Sequence, residues 1–313
     1  MTTTLPQPGV ETPTPTPSAP EQAAPKVDIR LKALRRFALS ITVLTIVGHV
    51  FLGFEQAPIT PIVAVLTAYL TELLMETVTA WSRGRRPGYA GGWRALITFL
   101  LPAHIVGLAC AMLLYGNESV WPYAFAVAIG ISLKHLIKVK VNGSPRHFLN
   151  PSNTGIVITL LLFPWVGIAP PYQFTASISG ALDWLVPLGI LMLGTMLNAK
   201  LTGKMPLIAG WVGGFIAQAF LRWLILGHSL PGALLPLTGA VFVLYTNYMI
   251  TDPGTTPVKP RNQMIFGATI AAVYGVLVSV NVAFGLFFAL VITCMLRGLV
   301  LALARRRTPE VAR

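Results

Sequence analysis

Two short polar stretches hold most of the residues in this chain that can bind or react. The first is RHFLNPSNTG, residues 146–155, where His147, Asn150, Ser152 and Asn153 bring together an imidazole, two carboxamides and a hydroxyl. The second is TNYMITDPGTTPVKPRN, residues 246–262, which carries Asn247, Thr251, Asp252, Thr255 and Thr256. Oxygens of these types at this density hold an ion or a polar ligand, or satisfy backbone that has left a helix. Pro151 and Pro253 each break helical hydrogen bonding locally. Capping is the plain alternative: Asn150 or Ser152 would cap a helix, and Asp252 a short turn. A third group is Glu72 and Glu76 in LTELLMETV, four residues apart and so on one helix face. Within an apolar segment they form an ion or proton path. Alternatively Glu76 reaches the interface or pairs with Arg83 or Arg85.

The elements around these groups are apolar. The chain has 313 residues, 54% hydrophobic and 11% charged, with a mean hydropathy of +0.70. Soluble domains carry about 25% charged residues. Apolar runs near the roughly 20 residues that cross hydrocarbon recur along the chain. They predict an all-α polytopic membrane protein of about ten spans: 37–54, 57–81, 94–115, 119–137, 154–169, 183–199, 206–227, 232–250, 263–281 and 284–304. Lys and Arg cluster at every second connection, around 26–36, 83–94, 134–146, 200–204, 259–261 and 305–313, and are absent from the connections between. The positive-inside rule then puts both termini, and both polar stretches, on the cytoplasmic side of a plasma membrane. Residues 1–34 read as a disordered Pro/Thr-rich tail, 35–304 as the transmembrane domain and 305–313 as a basic tail. The first 26 residues hold no apolar run, which argues against a signal peptide.

The net charge of +13 lies in these topological clusters, with no basic face or reading motif, so nucleic acid is not an expected partner. Cys110 and Cys294 sit inside apolar runs and form neither a CxxC nor a Cys/His spacing; no metal site is expected. His49 and His104, on different spans, are either haem ligands or hydrogen-bonded packing residues. Arg222 and Arg297 sit toward span ends, where snorkelling is the default and an anion contact the alternative for Arg222. Gly210 and Gly214 form a GxxxG pair for close helix packing. No soluble-enzyme motif is present, so the chain is at most a subunit of an oxidoreductase or translocase.

HFLNPSNTGIVITLLLFP (147–164) and MITDPGTTPVKPRNQMIFG (249–267) together resemble the NqrB/RnfD family, the membrane subunits of the sodium-pumping NADH:quinone reductase and of the Rnf complex. The likeness rests on F-N-P and T-D-P motifs, each leading into a span, and extends over about residues 35–304. It implies a bacterial inner-membrane protein in electron transport coupled to ion translocation, working with other membrane or redox subunits. It also implies two inverted five-helix repeats of the urea-transporter type. Family members hold FMN through a phosphoester to the threonine of an S-G-A-T loop. Here the corresponding loop reads Ser179, Gly180, Ala181, Leu182. Leucine has no hydroxyl, so no covalent FMN is expected, while a noncovalent flavin remains compatible. Two other readings stand beside this one: a channel or transporter for a small solute or ion with the same fold, and an accessory membrane protein of a natural-product pathway of the enediyne type.

Overall fold

The computed structural model describes residues 28–307, positions 142 and 171 apart. Residues 1–27 of the expected N-terminal tail and 308–313 of the basic tail lie outside it. The helices are α1 Ile29–Val50, α2 Ile59–Ser82, α3 Trp93–Leu113, α4 Trp121–Leu136, α5 Pro151–Leu162, α6 Leu182–Leu197, α7 Met205–Leu226, α8 Leu230–Leu234, α9 Ala240–Leu244, α10 Pro260–Ser279 and α11 Gly285–Arg307. A single π-helical turn prolongs α6 (Asn198–Thr202) and another prolongs α9 (Tyr245–Met249); a 3-10 turn, Leu235–Thr238, joins α8 to α9. Two short antiparallel pairings clip the loops: Leu114–Tyr115 with Gly167–Ile168, and Val139–Val141 with Ser144–Arg146.

Among the described residues, seven helical segments are long and apolar enough to cross a bilayer. The α8–α9 pair, bent by 66°, makes an eighth if taken as one broken span. Seven or eight of the ten expected spans are therefore reached by this measure. Each expected span has a helical counterpart, but α4 and α5 have only 16 and 12 residues. At 1.5 Å per residue these reach about 24 and 18 Å, short of roughly 30 Å of hydrocarbon. α4 stops where Lys134 and His135 turn to Glu72. α5 stops at Phe163, whose successor Pro164 disfavours helical backbone before it.

α2 explains how such a chain packs. Its buried stripe is Thr60, Ala64, Ala68, Glu72, Glu76 and Ala80; its exposed stripe is Ile62, Leu66, Leu70, Leu74 and Val78. Both repeat every four residues, with small and polar groups inside and large hydrocarbon outside. Lipid tails solvate leucine well, so helices gain by bringing small residues together. This is the organisation of an all-helical membrane protein.

The closest helix contacts obey the same rule. A Cβ built on Gly210 of α7 would overlap the Met264 carbonyl of α10, and one on Gly267 would overlap the Leu207 carbonyl of α7. The GxxxG reading is thus realised: Gly214 meets Ala268 and Ala271 of α10. α4 and α5 repeat the device through Gly130 and Gly155. Beside the α7–α10 pair, Trp211, Phe215, Phe242, Tyr245 and Tyr274 pack ring on ring, Phe215 and Phe242 at 4.9 Å between centroids. The Trp211 indole N–H donates to Thr246 Oγ1 at 2.9 Å, which ties this core to the start of the second polar stretch.

Candidate functional site

The two polar stretches meet. Asn150 has extended backbone and caps α5: its Oδ1 accepts the Asn153 N–H at 3.0 Å and the Ser152 hydroxyl at 3.0 Å, with Pro151 pre-set in the first turn. Its Nδ2 donates in the other direction, to the Met249 carbonyl at 3.1 Å. One side chain therefore both starts a helix and joins two segments 99 residues apart. His147 lies against Gly254, where a Cβ would sit 2.8 Å from Nε2. Asn153 is fully buried and donates from Nδ2 to the Phe287 carbonyl of α11 at 2.9 Å.

The second stretch begins in broken helix. In the π-turn, Asn247 donates to the Val243 carbonyl, while its own carbonyl accepts from Thr251 Oγ1 at 2.7 Å and from Asn198 Nδ2 at 2.8 Å. Asn198 opens the other π-turn, so the two irregular turns are stitched by one carboxamide. π-turns inside helices are frequent at functional sites. Past them, Asp252 folds the T-D-P-G-T-T segment on itself. Its carboxylate accepts from the Gly254 N–H and the Thr255 hydroxyl, both at 3.0 Å, and its carbonyl accepts from the Thr256 hydroxyl at 2.6 Å.

Two cations that sequence reading counted only as topology markers or snorkelling residues belong here. Lys204, 4% exposed, donates to the Pro257 carbonyl at 2.7 Å. Arg297 reaches from α11 to the Thr255 carbonyl at 2.6 Å, rather than extending to an interface. Burial pushes the Lys204 ammonium down to about 8, with Asp252 acting the other way. Burial likewise lowers the His147 imidazole, against the opposing pull of Asp252. Five buried groups in the stretches and beside them keep an oxygen with no hydrogen-bond partner: Asn153 Oδ1, Asn247 Oδ1, Thr154 Oγ1, Gln263 Oε1 and Thr293 Oγ1. Buried orphans of this kind are places for an ion, a water or a polar ligand group.

Glu72 and Glu76 are not part of this junction; each has its own partners. Glu72, 4% exposed, takes the Lys134 ammonium at 2.7 Å on each carboxylate oxygen and the His135 ring at 3.2 Å. Glu76 holds Arg85 in a fork at 2.6 and 3.0 Å and accepts the Gly88 N–H at 2.7 Å. The pairing alternative stated for Glu76 is thus realised with Arg85, and a pair that sequence reading did not foresee occupies Glu72.

At the opposite end of the bundle, Ser179 and Gly180 form a turn with Gly180 at φ +68°, Ala181 is the helix cap without a side-chain bond, and Leu182 begins α6, half exposed. Leu182 itself offers no hydroxyl oxygen to a phosphoester. His104 spends both ring nitrogens on Thr42 and Tyr69, each at 2.8 Å, and His49 bonds the Thr45 carbonyl. His104 is thus held as a hydrogen-bonded packing residue, whereas His49 Nε2 is buried with no partner among the described residues. Cys110 and Cys294 are buried and free. Among the described residues, no three His, Cys, Asp or Glu side chains come together as a metal set. No protein-family model and no curated protein matches the chain.

Proposed function

We propose that the chain is an NqrB/RnfD-like integral membrane subunit, acting with partner subunits in electron transport coupled to ion translocation and carrying no covalent FMN. The observation that carries this reading is the junction of the F-N-P and T-D-P stretches. They are far apart in sequence, yet they close on each other through Asn150, His147 and Gly254. Two π-turns and the orphaned oxygens of Asn153 and Asn247 surround the contact. Irregular backbone at membrane depth is tolerated where protein or a polar cavity satisfies it, and such places bind ions and substrates in transport proteins. Packing order supports the repeat: α1 packs on α3, α2 on α4 and α4 on α5; then α6 packs on α9, α7 on α10 and α10 on α11. With α8–α9 taken as one span, these three pairings recur in two sets of five, while the packing of α3 on α4 and α5 has no counterpart of similar extent in the second set.

The orphaned carboxamide oxygens also favour a second reading, an ion or small-solute pathway with no redox step. One absorption spectrum separates the two. The protein is purified in mild detergent and its spectrum read before and after acid precipitation. A flavin or haem band released from the pellet supports the electron-transport subunit. The absence of any chromophore, together with solute or ion flux in liposomes, would replace it with the transporter.

A further inference from the structure

Arg222 has an unusual position. It lies on α7, 18 residues beyond Lys204 in the sequence, so it sits about 27 Å from the polar junction along the helix axis. It is 8% exposed, yet it pairs with no carboxylate among the described residues. Its Nε donates to Gln218 Oε1 at 2.9 Å, and no acceptor in the described protein takes the terminal guanidinium nitrogens. Sequence reading left snorkelling and an anion contact open for it; the side chain is folded onto its own helix rather than extended. A buried guanidinium without a counter-charge is costly.

What faces it is a pocket of 270 Å³ lined by Arg222, His228, Ser229, Gly232, Tyr274 and Val278, together with Ala233 and Pro236. The lining supplies donors from several directions. Ser229 Oγ accepts the Gly232 N–H at 3.3 Å, which leaves its own proton free to point elsewhere. Tyr274 is 8% exposed and its hydroxyl makes no hydrogen bond among the described residues. Hydroxyls, an imidazole and a guanidinium on three separate elements suit a three-dimensional oxyanion better than a flat carboxylate. No acidic side chain lines the pocket.

We propose that this pocket is an anion site for a phosphate group, with Arg222 as the charge that binds it and Ser229, Tyr274 and His228 as the orienting donors. The group belongs either to a phospholipid headgroup or to a free phosphate. Exposed Leu221, Leu224 and Ile225 beside Arg222 give an acyl chain a surface to follow, and they make the headgroup the first source to try.

The test is thermal unfolding of the full chain in uncharged detergent at constant ionic strength. One arm titrates inorganic phosphate, the other water-soluble dioctanoyl phosphatidylglycerol. The expected result is a saturable rise in Tm in at least one arm, roughly 5 °C at a hundredfold excess over Kd. The responding arm identifies the source. The rise should vanish in Arg222→Gln. Since that variant can fail to fold, Gly232→Leu is made as well: a Cβ there meets only Ser229, at 3.5 and 3.6 Å, so the added side chain enters the pocket and leaves Arg222 intact. No saturable rise in either arm overturns the proposal, and so does an undiminished rise in Gly232→Leu.

Discussion

Replacing Glu72 by Gln removes the negative member of a buried cluster without changing its shape. The carboxylate side chain is 5% exposed and its Lys134 partner 16%, with two contacts of 2.7 Å between them and a third to His135 at 3.2 Å. Lys134 and the His135 ring would then share one neutral amide oxygen, and the ammonium would stay buried without a counter-charge. Removing one partner of a buried pair costs about 3–5 kcal/mol, whereas removing both is often nearly neutral. At 2–4 °C per kcal/mol, the single variant should lose roughly 10 °C or more in Tm. Glu72→Leu combined with Lys134→Met should recover at least half of that loss. The assay is intrinsic tryptophan fluorescence during heating, at one scan rate and in one detergent, because helical membrane proteins commonly unfold irreversibly. A Glu72→Gln variant within about 2 °C of wild type would refute the reasoning. So would a double variant as unstable as the single one. In either case Glu72 would be a loosely held group, and the ion-path reading would regain ground.

Three further outcomes follow from named contacts. Lys204 titrates near 8 when folded against 10.5 as a free side chain. Between those values the unfolded chain binds the extra proton, so stability should rise with pH across that window, by at most about 3 kcal/mol. Tm measured from pH 7.5 to 10 should therefore climb relative to Lys204→Met, and parallel profiles would contradict the burial argument. Gly210→Ala should cost about 1–3 kcal/mol, because its Cβ would press on the Met264 carbonyl. Gly213→Ala, on the same helix with nothing within 4 Å, should be neutral or gain about 0.5–1 kcal/mol by propensity; equal effects in a thermal scan would disprove the close approach. Asn150→Asp keeps the cap but turns an acceptor toward the Met249 carbonyl, so it should be worse than Asn150→Ala, which loses about 1 kcal/mol of capping plus the cross-link. The reverse order would mean that the cap alone matters.

The parts that were legible in the sequence are those whose cause is local. Apolar runs mark α1, α2, α3, α6, α7, α10 and α11 because a helix in lipid must satisfy its own backbone. Pro151 with Asn150, and the Gly210–Gly214 spacing, announce a cap and a packing face within a few residues. The fifth span was carried past α5 because hydropathy does not register that Pro164 ends the helix at Phe163, and the partners of Lys134 and His135 at the end of α4 were missed because Glu72 lies 62 and 63 residues away. Lys204 and Arg297 were misplaced for the same kind of reason. A basic residue at a span end reads as an interface anchor, and only the folded chain reveals the Pro257 and Thr255 carbonyls they satisfy.

Capping and site formation had been set against each other for the F-N-P stretch, and Asn150 shows why that opposition is too simple. Its Oδ1 is fully engaged by the start of α5, so the capping role is real. That same engagement fixes the orientation of Nδ2, which is what draws Met249 and the T-D-P segment alongside. A cap that holds a carboxamide rigid is also the cheapest means of aiming its other end. The oxygens left over, on Asn153 and Asn247, stay without a partner although backbone carbonyls of the second stretch have already been met by Lys204, Arg297, Asn198 and Thr251. Polar groups that survive such complete local satisfaction are surplus to folding. At membrane depth a surplus oxygen costs stability unless something else comes to it, so the junction is a better place than the paired Glu72 and Glu76 to look for a bound ion.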